Sequence, residues 1–234
     1  MGGCWVRIPL VFLLSLAIIA GLSACGVGAP DADANTGNDT GNDNSNGNSN
    51  DNGNDAGNDA AADWAARFAA DSALFAELYP VSGENPYVFA TFDELITQID
   101  NGTGVIAFGF PACPRCQNAF PVLEKAFKEM GMERRGGLSG RILYYDILED
   151  READNERYQA LVDRLGGHLR PDDSGNPRIF VPDIFFVTAG KVVGNHLDTV
   201  PGVEDPFDPL SDEQEAELLK IYLDFIQIVK DCNC

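Results

Sequence analysis

Apolar positions along the chain fall into three regimes. They prevail from Ile8 to Leu22 and almost vanish from Ala29 to Ala62, where Asp, Asn, Gly, Ser, Thr and Ala dominate. From Trp64 on they recur with alternating helical and strand periods, which sets the folded part at residues 63–234. Trp64, Phe68, Phe75 and Leu78 predict an N-terminal helix that stops at Tyr79-Pro80, and Tyr87-Val88-Phe89 predicts a short strand. Thr91 followed by Glu94 is a capping box. It opens a helix carrying Leu95, Ile96 and Ile99, which Asn101-Gly102 ends. The β-branched run from Gly104 to Phe108 reads as a buried strand, and Phe120, Leu123 and Phe127 mark a helix directly behind it. A Gly/Arg-rich turn (Arg134, Arg135, Gly136, Gly137) leads to a third strand over Arg141 to Ile147. Tyr158, Leu161, Val162 and Leu165 share one face of a charged helix from about Glu152 to Leu165. After a polar loop come a strand over Ile184 to Thr188, a turn at Ala189-Gly190 and a partner strand over Lys191 to Gly194. His196 to Leu210 reads as loop, and Ser211 with Gln214 caps a last helix bearing Leu218, Leu219, Tyr222, Phe225, Ile226 and Val229. This order predicts an α/β fold: a central mixed β-sheet flanked by helices on both faces, with an extra N-terminal helix.

The first two regimes assign the rest of the chain. Residues 1–24 form a signal peptide, with Arg7 before the apolar run. Leu22-Ser23-Ala24-Cys25 resembles the bacterial lipobox, which implies a lipoprotein whose acylated Cys25 becomes the mature N-terminus. Gly26 stands where inner-membrane lipoproteins favour Asp, so the resemblance implies a lipid-anchored protein of the cell envelope. In a two-membrane cell, that places it on the outer membrane, on its periplasmic or surface side. Residues 25–62 are too poor in apolar surface to offset chain entropy and read as a disordered tether. Its span would be roughly 30 Å. The Gly-Asn-Asp triplets lack the repeat of calcium-binding β-rolls. A net charge of −21 excludes the phosphate-binding surface that nucleic acid requires and speaks for a soluble, monomeric domain.

Six cysteines are present. Cys4 leaves with the signal and Cys25 takes lipid, so Cys113/Cys116 and Cys232/Cys234 remain as two close pairs. Cys113-Pro114-Arg115-Cys116 sits where a strand ends and a helix begins. Free backbone N–H groups and the helix dipole stabilise a thiolate there, and Arg115 between the sulfurs brings a fixed positive charge. Cys113 is therefore the candidate nucleophile toward a disulfide, and Cys116, one turn on, the candidate resolving thiol. Lowering the pKa of Cys113 would make it a better leaving group and tilt the pair toward an oxidising potential.

The Cys113-Pro-Arg-Cys116 motif, the Val181-Pro182 step before a hairpin and the terminal helix resemble the thioredoxin superfamily over roughly residues 87–230. The Gly109-Phe-Pro-Ala-Cys-Pro-Arg-Cys-Gln117 run and the Cys232-Asn-Cys234 tail are similar to bacterial thioredoxin-like proteins called bacteriocin transport accessory proteins. The resemblance implies a thiol–disulfide oxidoreductase acting on thiols and disulfides of envelope proteins, with no organic cofactor and no resident metal. It implies a cis Pro182 beside the nucleophilic sulfur, with Val181 offering backbone hydrogen bonds to a bound peptide. The family's reductases carry a buried acid six residues before the first cysteine, where this chain has Ala107. Glu124 and Lys125 are the remaining proton-transfer candidates on the redox helix. Cys232/Cys234 is open between a second redox pair, a metal site alone or with His196, and a terminal staple. Two other functions remain: a metal-binding or chaperone module using Cys113, Cys116 and the C-terminal pair, and a redox-inert binding protein. His168 and His196 read as surface residues, and Asp146, Asp150 and Asp183 form no acid/base pair.

Overall fold

A computed structural model describes residues 55–231, with side-chain surroundings from residue 63. The signal peptide, Cys25, most of the tether and the Cys232/Cys234 pair lie outside the described residues. Five strands make one mixed sheet: β1 (Tyr87–Phe89), β2 (Gly104–Gly109), β3 (Ile142–Asp146), β4 (Asp183–Thr188) and β5 (Lys191–Leu197). Their spatial order is β1-β3-β2-β4-β5. β3 runs parallel to both β1 and β2, while β4 and β5 are antiparallel additions. Every residue of β2 and β4 is buried, as an apolar run without alternation requires when both sheet faces are covered.

Among the described residues there are six α-helices: α1 (Asp55–Leu78), α2 (Phe92–Asn101), α3 (Pro114–Glu129), α4 (Leu148–Ala153), α5 (Glu156–Leu165) and α6 (Asp212–Asp231). One face of the sheet (Val105, Ala107, Tyr144, Ile184, Phe186) packs against α3, α6 and the end of α1 through Phe120, Phe127, Tyr222 and Phe75. The other face (Ile106, Phe108, Leu143, Phe185) packs against α2 and α5 through Leu95, Ile99, Leu161 and Leu165. Thr91 and Glu94 form the expected capping box of α2.

Three elements depart from the pattern-based expectation. α1 begins at Asp55, inside the stretch read as tether, because its alanines form helix even where they carry no apolar period. The helix expected over 152–165 is two. Asp154 turns left-handed (φ 48°) after α4, and the Asn155 side chain accepts the Tyr158 N–H to cap α5 afresh. β5 runs on to Leu197, where a loop was expected from His196, because Asp183 and Ile184 pair with Leu197 and His196.

The short edge strand β1 is closed off by α1. Asp71 accepts the Phe89 N–H at 3.2 Å, and Arg67 donates to the Phe89 carbonyl at 2.9 Å while pairing with Glu94 at the start of α2. These contacts occupy the backbone groups that an open sheet edge presents to another chain.

Candidate active site

β2 delivers the chain to the site and α3 begins there. Gly109, the last residue of β2, has no room for a side chain. A Cβ would stand 2.6 Å from the Phe120 ring and 3.3 Å from Cys116 Sγ. Cys113 is the N-cap of α3, with Pro114 in its first turn, where a missing N–H and a preset φ suit the helix. Pro121 interrupts α3 further on and withholds one backbone donor from the helix ladder.

Both thiols are free. Cys113 is 4% exposed and Cys116 fully covered, so the Cys113 sulfur lies lower than a helix end in open solvent would place it. Cys113 Sγ accepts the Cys116 backbone N–H at 3.2 Å and faces the Val181 carbonyl at 3.9 Å. The Val181–Pro182 peptide is cis, and it brings Val181 against Cys113 from the far side of the site. Cys113, Pro114, Arg115, Cys116, Val181 and Pro182 thus form one constellation from two chain segments.

The two sulfurs are electrostatically unequal. The Cys113 pKa is lowered by hydrogen bonding from the Cys116 side chain, then from the backbone N–H groups of Cys116 and Arg115, against the cost of burial. Cys116 is pushed far up, first by burial and then by its hydrogen bond and charge interaction with Cys113. The pull expected from the Arg115 guanidinium comes from its backbone instead. The side chain turns to Asp198 at 2.9 Å, and the Asp198 carboxylate opposes ionisation of Cys113.

Behind Cys116 the position of Ala107 is fully buried and apolar. Glu124 and Lys125 do not take over its role. Glu124 holds the Ser82 N–H and Lys128, and Lys125 pairs with Glu215 at 2.8 Å. Polar groups around the buried thiol include Tyr79 and Tyr144, whose hydroxyls meet at 2.9 Å, together with Tyr87, Tyr222 and Asp146. Asp146 follows Ile142 and Tyr144 on the same face of β3, and its carboxyl is raised mainly by partial burial.

The acidic residue next to Pro182 is buried. Asp183 is 1% exposed, accepts from Asn195 Nδ2 at 3.1 Å, and is pushed up to about 7 by burial, with Asn195 and Arg170 opposing. A carboxyl whose folded pKa exceeds its unfolded value favours the folded state fully at low pH. That contribution is lost as pH rises from about 4 through 7. Asp183→Asn keeps an acceptor for Asn195, so it should make the chain more stable than wild type at pH 8 but not at pH 4. At ~1.4 kcal/mol per unit the difference is on the order of 2–4 kcal/mol. Melting curves of both proteins from pH 4 to 8 check this; parallel curves would contradict it.

Other sequence candidates fall elsewhere. His168 is exposed as expected, but His196 is half-buried, with Nε2 donating to the Thr199 carbonyl at 2.7 Å and its ring edge-on to Tyr222. Asp150 is buried and takes Tyr145, Asn155 and Arg157 as partners, which makes it a structural knot at the α4–α5 break. Among the described residues no three His, Cys, Asp or Glu side chains converge as a metal site would need. The metal readings drew on Cys232 and Cys234, which lie outside the described residues, as does the proposed acyl site Cys25. Among the described residues no helix is long and apolar enough to cross a membrane.

A cleft of about 530 Å³ opens beside Cys113, lined by Phe110, Arg151, Arg178, Phe180 and Val181 among others. Sequence reasoning missed Arg151, Arg178 and Asp198, because a lone charge in a polar stretch reads as a solvated face. Comparison with protein-family models, with curated proteins and with solved structures returned no match.

Proposed function

We propose that this chain is a thiol–disulfide oxidoreductase of thioredoxin-like fold, acting on cell-envelope proteins from a lipid anchor at Cys25. The observation that carries the reading is the pairing of a stabilised sulfur with a protonated one. Cys113 Sγ accepts the Cys116 N–H at the start of α3, and Cys116 is fully buried one turn on. The fold assignment rests on the strand order and on the Val181 carbonyl, just before Pro182, facing that sulfur.

The Cys113 thiolate attacks one sulfur of a client disulfide. That S–S bond breaks, a mixed disulfide forms, and the other client sulfur leaves and takes a proton from water. Cys116 then attacks Cys113 Sγ as its proton passes through water to the departing client sulfur. The Cys113–Cys116 disulfide forms as the second client thiol departs. The client is reduced by two electrons and the pair oxidised; the reverse sequence oxidises a client. A stabilised Cys113 thiolate favours the reduced pair, which directs the chemistry toward client oxidation.

Redox titration of the purified protein in glutathione buffers, with each cysteine read by alkylation and mass spectrometry, tests this. The expected result is a Cys113–Cys116 disulfide with a midpoint more oxidising than the roughly −270 mV of thioredoxin. A lower midpoint would reverse the direction, and absence of the disulfide under all buffers would end the redox reading.

A further inference from the structure

The cleft beside Cys113 carries positive charge that the chain leaves unused. The protein has 37 acidic side chains against 16 basic ones, so the chain as a whole carries no surplus of positive charge. Arg115 is matched by Asp198. Among the described residues Arg151 and Arg178, which line the same cleft, enter no ion pair. Arg151 reaches it from α4. Its Nη1 donates to the Ile179 carbonyl at 3.3 Å, its guanidinium lies 5.6 Å from the Phe110 ring centre, and its Nε is buried with no hydrogen-bond partner. Arg178 lies 5.7 Å from the centre of the Phe180 ring, whose other neighbour is Arg170 at 4.3 Å.

Two like charges held near each other in a partly desolvated cleft repel. Arg151 shows the effect, its pKa being lowered first by burial and then by Arg178. The two cleft carboxylates do not relieve it in the same way. Asp172 is turned onto its own loop, accepting the N–H groups of Ser174 and Asn176 at 2.9 Å, which leaves Asp173 at the rim. A guanidinium with a buried, unpaired N–H recovers most from a carboxylate, which takes two donors at once.

We propose that Arg151 and Arg178 bind carboxylates of the substrate, so that the cleft selects cysteine pairs, as dithiol or disulfide, set in acidic peptide segments. This deepens the oxidoreductase reading and rests on it. Phe110 and Phe180 give the flanking residues an apolar floor, and the Val181 backbone lies alongside. An acidic client is repelled by the protein as a whole and attracted at this cleft, so charge orients the client's cysteine pair toward Cys113.

The test compares three cyclic disulfide peptides that differ only in two residues flanking the cysteines: both Glu, both Gln or both Lys. Stopped-flow rates are taken with the reduced full chain over a salt series. The Glu peptide should react roughly tenfold faster than the Gln peptide at low salt and the Lys peptide slower than either, with the differences shrinking as salt rises. Arg151→Gln with Arg178→Gln should bring the Glu-to-Gln ratio to about one, and Arg178→Gln alone, which removes no side-chain hydrogen bond, should lower it part of the way. Equal rates for Glu and Gln peptides, or a preference that survives the double variant, would overturn the assignment. Should no peptide exchange at all, the oxidoreductase reading fails. Binding of linear Ser-for-Cys versions of the peptides then still decides whether the arginines choose Glu over Gln. Oxidised glutathione is the remaining arm. If it reacts in an arginine-dependent way and faster than the Glu peptide, the carboxylates belong to a small thiol and not to a protein segment.

Discussion

Cys113→Ser is expected to reduce disulfide exchange to the rate of buffer alone, and Cys116→Ser to arrest the protein as a mixed disulfide with its substrate. The asymmetry follows from burial. Cys116 is fully covered and its thiol is held protonated, so it cannot replace Cys113 as the attacking group. At neutral pH a free thiol is ~3% ionised; Cys116 is well below that and Cys113 above it. The serine hydroxyl has no accessible ionised form at this pH and forms no disulfide, which removes the first step entirely. In Cys116→Ser the first step survives, because the helix start, the residue-116 N–H and the Val181 carbonyl all remain. What is lost is the resolving attack, so the intermediate accumulates and can be isolated by acid quench and mass spectrometry. Of the Cys113/Cys116 pair, iodoacetamide labelling of wild type should mark only Cys113, with a rate that reaches half its plateau at a lower pH than an ordinary cysteine. Fast labelling of Cys116, or exchange that persists in Cys113→Ser, would sink the assignment of roles. A biological phenotype untouched by Cys113→Ser would instead favour the redox-inert binding protein.

The parts of this site that were legible in the sequence are those set by local rules. The strand-to-helix placement of Cys113 needs only the apolar run to Phe108 and the helical spacing of Phe120, Leu123 and Phe127. The capping box at Thr91 and the strands up to β4 are equally local. The pairing of Val181 with Cys113, separated by 68 residues, came from family resemblance, since no spacing rule connects two loops brought together by β2 and β4. Burial of charged residues was the harder matter. Arg115 was assigned to the thiolate because it is adjacent in sequence, yet a residue on the first turn of a helix points where its partner lies, and Asp198 waits beyond β5. Arg151 looked like one charge among many in Leu148–Ala153. Its role depends on Ile179 and Phe110, neither of which is near it in the chain. The Asp154-Asn155 break was signalled by residues that favour left-handed turns and caps, but the apolar period of α5 masked it.

Phe75→Ala is expected to lower stability by about 3–5 kcal/mol, more than any other single substitution in α1. The ring is fully buried, stacks on Tyr87 with centroids 3.9 Å apart, lies 4.5 Å from Tyr79 and meets Tyr144 edge-on at 5.1 Å. Removing it leaves a cavity walled by rings too large to collapse into it, which places the cost at the upper end for core truncations. For a domain of this size the melting temperature should fall by roughly 10 °C. Trp64, at the outer end of the same helix and 40% exposed, gives the contrast. Trp64→Ala should stay within about 1 kcal/mol of wild type. The consequence reaches the active site, because Tyr79 carries the hydroxyl contact to Tyr144 and packs 4.9 Å from Phe120, the ring that fills the space beside Gly109 and Cys116. Loosening α1 should therefore speed alkylation of the buried Cys116 while leaving the pH midpoint of Cys113 in place, since its hydrogen bonds come from α3 itself. If Phe75→Ala costs under about 1 kcal/mol, α1 is an appendage that unfolds without the sheet. If it costs the full amount and Cys116 becomes labile, the N-terminal helix is part of the wall that keeps the Cys116 thiol protonated.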